Sequence, residues 1–198
     1  MKTIFLHGLG QTPRDWNATI AASSLTNAEA PALVPKYGAV TYSRLLASLE
    51  RRYANDAEPL HFCGLSLGAM LALDYALRHP EQVARLTLVG AQIKSPTALI
   101  DVQNMIFRLM PERAFADMGL AKEAVVTLAH SMRSLDFSAH LQAVRCPVTV
   151  VCGAKDRANL RATRRLAAAL PQATLQIVPN AGHEVNKDAP EALAALLS

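Results

Sequence analysis

Short apolar runs alternate along this chain with longer segments whose apolar residues recur at helical spacing. Continuous apolar runs of strand length are typical of strands buried on both faces. The pattern predicts about six strands, at 2–6, near 32–34, and at 60–63, 85–90, 147–152 and 174–178. It predicts helices that begin at Pro13 and continue past Trp16, over 42–53, from Ser66 to His79, over 160–170 and from Pro190 onward. This alternation predicts an α/β fold with a mostly parallel sheet and helices on both of its faces.

One connection is much longer than a single crossover helix requires. It comprises 56 residues, Ala91 to Cys146, between the strands that end at Gly90 and begin at Pro147. Connections in α/β units are usually far shorter. We therefore interpret residues 1–198 as one domain that carries a small helical cap at about 95–140.

Composition excludes several classes of protein. Half of the 198 residues are hydrophobic (51%) and 18% are charged, which indicates a globular domain. The net charge of +4 comes partly from arginines on helix-like segments, which a solvated helix face explains better than nucleic acid does. No apolar run reaches transmembrane length, and the first residues enter a strand rather than forming a signal peptide, so we expect no membrane partner.

The cysteines indicate the compartment. Their number is odd and their spacing fits neither a zinc site nor a redox motif, so we interpret Cys63, Cys146 and Cys152 as small buried thiols. Such thiols are typical of a reducing environment, and we expect a cytoplasmic protein.

The strongest candidate for chemistry is Ser66, in the segment Gly64-Leu-Ser-Leu-Gly68 between a strand and a helix. The flanking glycines allow a turn that is too sharp for side chains at those positions. Such a turn holds the hydroxyl at a helix N-terminus, beyond the carboxyl edge of the sheet. The alternative is a glycine-rich turn without chemistry, so the prediction depends on whether a base and an acid follow.

Both follow, in loops after later strands. His183 is the candidate base, because an unperturbed serine hydroxyl needs a group that takes its proton. Asp156 is the candidate acid, which would orient the imidazole and stabilise the imidazolium. Their alternatives are a surface histidine and an ordinary turn aspartate. Loops at the carboxyl ends of parallel strands meet at one edge, and this convergence favours the catalytic interpretation.

The other histidines fit a catalytic role less well. His7 more plausibly braces the loop that follows the first strand, and His61 lies within a strand. The remaining three lie at a helix end or in the helical region: His79, His130 and His140.

The backbone N–H groups of Leu67 and Leu9 are the candidate oxyanion hole, since both lie in turns at the same edge of the sheet. Four apolar residues are candidates for the substrate pocket: Trp16, Met105, Phe107 and Met110. The alternative for the residues of the insertion is that they only pack its helices onto the body. Pockets are mostly apolar, and a flexible methionine-lined roof would suit a modest apolar acyl group.

With these features the chain resembles the α/β-hydrolase superfamily. The resemblance rests on His7-Gly8 after the first strand with Trp16 downstream, on the Ser66 segment, on Gly153-Ala-Lys-Asp156, and on Gly182-His183. The nucleophile, acid and base follow in the order that the superfamily uses. Typical members begin with two further strands, so we expect a trimmed sheet. A serine nucleophile also argues against the haloalkane dehalogenase and epoxide hydrolase branches.

The resemblance implies a serine hydrolase that cleaves a small carboxylic ester or thioester, with no metal or organic cofactor. Two alternatives stay open. One is a lyase or carbon–carbon bond hydrolase on the same triad, and the other is a ligand-binding protein without turnover. The sequence does not indicate the oligomeric state.

Overall fold

A six-stranded parallel sheet forms the centre of the molecule. The computed structural model describes residues 1–34, 38–118 and 120–197. The strands are β1 (Lys2–Leu6), β2 (Ala28–Glu29), β3 (Leu60–Leu65), β4 (Val83–Val89), β5 (Val148–Gly153) and β6 (Ala173–Val178). Their order across the sheet is β2-β1-β3-β4-β5-β6, and every pairing is parallel. The predicted fold class is confirmed.

Eight α-helices lie in the described residues. They are α1 (Asn17–Ala22), α2 (Tyr42–Tyr53), α3 (Leu67–Arg78), α4 (Thr97–Leu109), α5 (Lys122–Ser131), α6 (Arg157–Ala169), α7 (Val185–Asp188) and α8 (Pro190–Ala194). Short 3-10 helices cover Pro13–Trp16, Glu112–Met118 and Leu141–Ala143. None of the described helices is long and apolar enough to cross a bilayer.

Each central strand sends alternate side chains into two different cores. On β1, Ile4 and Leu6 belong to the core that also contains residues of α2, α3 and α6. Phe5 belongs to the opposite core, with Trp16 and with residues of α7 and α8. Both sets are fully buried, because successive side chains of a strand point to opposite faces of the sheet. This arrangement explains why the central strands are continuous apolar runs.

The prediction of a second strand near 32–34 is wrong. The strand next to β1 is only two residues long and pairs Thr3 with Ala28 and Ile4 with Glu29. Leu33 packs into the core instead, and its backbone N–H donates to Nε2 of His7 at 3.3 Å. An edge strand this short carries no apolar pattern, whereas the apolar triplet is used for packing.

Helix α6 begins three residues before its predicted start at 160. Its N-terminus is capped by Asp156, whose carboxylate accepts from the backbone N–H of Asn159 at 3.3 Å. The aspartate predicted as a catalytic acid therefore also fixes where this helix begins.

The long connection between β4 and β5 carries α4, the 3-10 helix at Glu112–Met118, and α5. Its two ends meet: the N–H of Ser95 donates to the carbonyl of Leu135, and that of Phe137 to the carbonyl of Ile93, both at 2.9 Å. An isolated antiparallel β-bridge between Lys94 and Asp136 lies beside them. The segment therefore leaves the sheet and returns to the same point. We call residues 93–137 the helical insertion.

Candidate active site

Ser66 occupies the turn between β3 and α3 in a conformation that few residues other than glycine adopt. Its φ is 53° and its ψ is −112°. A Cβ on Gly64 would lie 2.4 Å from the carbonyl of Gly68, and one on Gly68 would lie 2.0 Å from the carbonyl oxygen of Leu6. The two glycines are therefore required by the close approach of strand, turn and helix, as the sequence predicted.

Asp156 and His183 form a hydrogen-bonded pair. The imidazole Nδ1 lies 2.7 Å from Oδ2 of the carboxylate. The Asp156 side chain is nearly inaccessible (5% exposed), whereas that of His183 is 39% exposed and borders a cavity. A buried carboxylate behind a partly open imidazole is the arrangement in which the acid fixes the tautomer and the ring exchanges protons with a substrate.

The loop of His183 is held against the loop of Asp156 by the backbone. The N–H of Lys155 donates to the carbonyl of Ala181 at 2.8 Å. The N–H of Gly182 donates to Oδ2 of Asp188 at 2.6 Å, which fixes the residue directly before the histidine. Asp188 is thus a support of the histidine loop.

One cavity of about 300 Å³ brings the predicted catalytic groups together. Ser66, Leu67, Leu9 and His183 all line it, and Asp156 lies behind the histidine. These residues follow four different strands, so their convergence depends on the whole sheet.

The two candidate oxyanion donors both border this cavity. Leu67 is the first residue of α3, where backbone N–H groups have no intrahelical acceptor. Neither its N–H nor that of Leu9 donates a hydrogen bond within the described part of the chain. The Leu9 turn is closed by a hydrogen bond from the N–H of Gln11 to the carbonyl of Gly8.

Asn159 contacts both members of the candidate pair, and sequence reasoning missed it. Its Nδ2 donates to both carboxylate oxygens of Asp156, at 2.9 and 3.0 Å, and lies 3.2 Å from Nδ1 of His183. Gln92 donates to its Oδ1 at 2.5 Å and so fixes the orientation of the amide. The sequence did contain one indication of this contact. Asn159 follows Asp156 by three residues, and a side chain at that spacing lies beside an aspartate that caps a helix.

Gln11 joins the loop that contains Leu9 to the loop that contains His183, and sequence reasoning also missed it. Its Nε2 donates to Oε1 of Glu184 at 2.8 Å and to Oδ1 of Asn186 at 3.2 Å. Its Oε1 accepts from the N–H of Gly8 at 3.2 Å. The side chain therefore couples the position of Leu9 to that of His183.

The predicted bracing role of His7 is confirmed. Its Nδ1 lies 2.9 Å from the carbonyl oxygen of Gly8, and its Nε2 accepts from Leu33. This pattern requires a proton on Nδ1 only, and burial lowers the pKa of the ring. His61 is fully buried, and its Nε2 lies 2.9 Å from Oγ1 of Thr87. Burial, with a smaller contribution from Arg85, lowers its pKa to about 4.

Of the four predicted pocket residues, only Phe107 lines the cavity. Trp16 is fully buried against Phe5, with ring centroids 5.1 Å apart, and belongs to the core. Met105 is 58% exposed, and Met110 follows the end of α4, where its carbonyl accepts from Lys122. The cavity face of α4 is formed by Ile100, Gln103 and Phe107, and helical geometry places Met105 on the opposite side. Methionines do line the cavity, but they are Met70 and Met132.

The described residues contain no group of three or more histidines, cysteines or acidic residues that could hold a metal ion. The three cysteines are buried and free.

A parallel sheet with a serine at the turn after its central strand, and with an aspartate–histidine pair on later loops, defines the class of α/β hydrolases. The chain matches the model of the alpha/beta hydrolase family over residues 3–196, and it belongs to that family.

Relatives of known sequence and structure agree with this assignment. RutD of Shigella flexneri, a candidate carbamate hydrolase, is 25% identical over 196 residues, which cover 83% of this chain and 71% of RutD. An enol-lactonase from Burkholderia xenovorans LB400 has a TM-score of 0.83 at 19% identity, covering 98% of this chain and 88% of that one. A hydrolase from Pseudomonas aeruginosa PA01 has a TM-score of 0.82 at 21% identity, and the match covers 98% of this chain and 87% of that one. At these identities the two structures show the shared fold.

Proposed function

We propose that this protein is a serine hydrolase that cleaves small carboxylic esters or thioesters through an acyl-enzyme on Ser66. The observation that carries the proposal is that Ser66, in its strained turn, lines the same cavity as a histidine already paired with a buried aspartate. Nucleophile, base and orienting acid are the three roles that acyl transfer needs.

In the proposed mechanism, Oγ of Ser66 attacks the substrate carbonyl while Nε2 of His183 takes the serine proton. The N–H groups of Leu9 and Leu67 stabilise the negative oxygen of the tetrahedral intermediate. His183 then gives the proton to the departing alcohol or thiol, and the acyl-enzyme remains. Water enters, loses a proton to His183 and attacks the acyl carbonyl, which releases the carboxylic acid and restores the serine hydroxyl. Asp156 keeps the imidazole in the required tautomer throughout.

The cavity supports a small substrate. Its volume is about 300 Å³, at the lower end of the range for ligand pockets. Its apolar lining from the insertion includes Ile100 and Phe107 of α4 and Ala129 at the end of α5. We propose that the helical insertion acts as the cap predicted from the sequence and forms the roof of this pocket.

Carbamate hydrolysis is a second candidate, favoured by the similarity to RutD. A carbamate presents the same kind of carbonyl to Ser66 and the same departing alcohol. The two candidates therefore share the mechanism and differ only in the group that remains on the serine.

A substrate panel tests the proposal. Purified protein is assayed with 4-nitrophenyl butyrate, a butyryl thioester and a 4-nitrophenyl carbamate, and the released phenol or thiol is measured. We expect turnover of the ester and thioester, and a loss of at least about a thousandfold in Ser66→Ala. Ser43→Ala removes an exposed serine hydroxyl and is the matched control. Equal turnover by wild type and Ser66→Ala contradicts the proposal, and turnover of the carbamate alone favours the second candidate.

A further inference from the structure

The cavity contains polar side chains that the proposed chemistry does not use. Ser95 lines it and is only 3% exposed, and its hydroxyl has no hydrogen-bond partner in the described structure. Gln103 lines it from α4, and within the described residues its amide makes no hydrogen bond. Both residues belong to the helical insertion, on the side of the cavity formed by the roof.

The position of Ser95 is fixed by the backbone. Its N–H donates to the carbonyl of Leu135, at the point where the two ends of the insertion meet. The adjacent hydrogen bond from Phe137 to Ile93 holds the same junction. Burying a hydroxyl without a partner is unfavourable, and because the backbone of Ser95 is held here, only rotation of its short side chain can bring the hydroxyl to one. A polar atom of a bound ligand would supply the missing partner.

The lining of the cavity is mostly apolar, and the polar side chains within it carry almost no charge. Among the described residues around the cavity, His183 is the only one with an ionisable side chain. A carboxylate, phosphate or ammonium group placed here would lose its hydration without meeting an opposite charge. The cavity therefore favours a neutral hydrogen-bonding group over a charged one, and the free hydroxyl and amide favour it over a plain alkyl group.

We propose that Ser95 and Gln103 form a polar subsite that binds an uncharged hydrogen-bonding group, such as a ketone or amide carbonyl, on the acyl chain of the substrate. The hydroxyl of Ser95 and the amide N–H of Gln103 donate to this group. The inference rests on the proposed function, because it places the acyl chain of the Ser66 acyl-enzyme in this cavity. The substrates would then be small neutral esters or thioesters whose acyl chain carries a carbonyl group.

Matched pairs of esters test the subsite. The 4-nitrophenyl esters of 4-oxopentanoic and 4-methylpentanoic acid have similar size and differ at C4, where a ketone oxygen takes the place of a methyl group. Homologous pairs with one and two further methylene groups vary the distance between the ester group and the second carbonyl group. For at least one length we expect kcat/KM to favour the oxo ester by about tenfold after correction for the uncatalysed rates, as one or two neutral hydrogen bonds would give. The preference should fall towards one in Ser95→Ala and in Gln103→Leu, and Ser43→Ala should retain it.

A binding measurement separates this inference from the proposed function. Calorimetry with Ser66→Ala compares the unreactive N-methyl amides of the same oxo and alkyl acids, and therefore needs no turnover. If the wild type hydrolyses no ester but the Ser66→Ala protein still binds the oxo amide more tightly, the proposed hydrolysis fails and the subsite stands. Three results overturn the subsite: equal binding of both amides, turnover of both esters at equal rates at every length, or a preference that survives in both Ser95→Ala and Gln103→Leu.

Discussion

Asn159 supports the Asp156–His183 pair from helix α6 and has no direct role in the proposed acyl transfer. Its amide donates to both oxygens of the carboxylate and holds that carboxylate in place for the histidine. We expect Asn159→Leu to lower kcat by about 10–100-fold with little change in KM, because hydrogen bonds to a charged group are worth about 1.5–3 kcal/mol. Steady-state kinetics provide the measurement, with the exposed Arg161→Leu on the same helix as control. An unchanged kcat would show that Asp156 is held without Asn159.

Gly90 keeps space open for the imidazole. Its φ is +62°, and a Cβ there would lie 2.9 Å from Cε1 and 3.1 Å from Nδ1 of His183. We expect Gly90→Ala to lower kcat/KM by at least about tenfold by displacing the ring, and to cost about 1–2 kcal/mol of stability from the left-handed backbone. Gly38→Ala is the matched control, because Gly38 also has a positive φ but would meet only the flexible end of Arg44. If both variants lose stability and neither loses activity, the imidazole does not depend on this gap.

The interior of β3 carries a titratable group that makes stability depend on pH. Burial lowers the pKa of His61 to about 4, so between that value and its ordinary 6.5 the unfolded chain binds a proton that the folded protein does not. Stability from this residue is present above about pH 6.5 and is lost as pH falls towards 4. We expect the free energy of unfolding to fall by about 2–3 kcal/mol more in wild type than in His61→Gln between pH 7 and pH 4.

Chemical denaturation at a series of pH values measures this difference, and the single tryptophan, Trp16, is buried and provides the signal. His7 also has a lowered pKa from burial, but it is present in both proteins and cancels in the comparison. Parallel pH profiles for wild type and His61→Gln would contradict the assignment.

Helix α4 carries a buried amide without a partner. Asn104 is 5% exposed, and neither its Oδ1 nor its Nδ2 has a hydrogen-bond partner in the described chain. Replacing such a group with an apolar one of similar size removes an unfavourable burial. We expect Asn104→Leu to raise Tm by about 2–4 °C, which corresponds to about 1 kcal/mol for a chain of this size. Differential scanning calorimetry checks this against the exposed Asn17→Leu, and a lower Tm would show that the amide is satisfied in solution.

The sequence predicted most of the sheet and the three triad candidates because their signals are local. Gly64 and Gly68 mark a sharp turn, and Asp156 and His183 each follow a run of strand length. A parallel sheet then brings the ends of those strands together whatever the details of packing. This is why residues far apart in the chain could be assigned to one edge before any contact was known.

The residues that the sequence did not reveal act through contacts between elements. Gln11 and Asn159 resemble ordinary polar loop and helix residues, and their roles depend on partners up to 175 residues away. Trp16 and Met105 were misplaced for a related reason: apolar composition does not indicate which side of a helix or turn faces the core, the cavity or solvent. The two-residue β2 has no apolar pattern, so only its pairing with β1 identifies it.

The central claim is that four loops of the sheet assemble an activated Ser66. Labelling with a fluorophosphonate probe, followed by peptide mass mapping, tests it directly because the reaction requires an activated nucleophile and no knowledge of the substrate. We predict a single modified residue, Ser66, with no labelling in Ser66→Ala and much slower labelling in His183→Ala, while circular dichroism shows that both variants remain folded. A folded wild type that is not labelled, or labelling that persists in Ser66→Ala, would contradict the account.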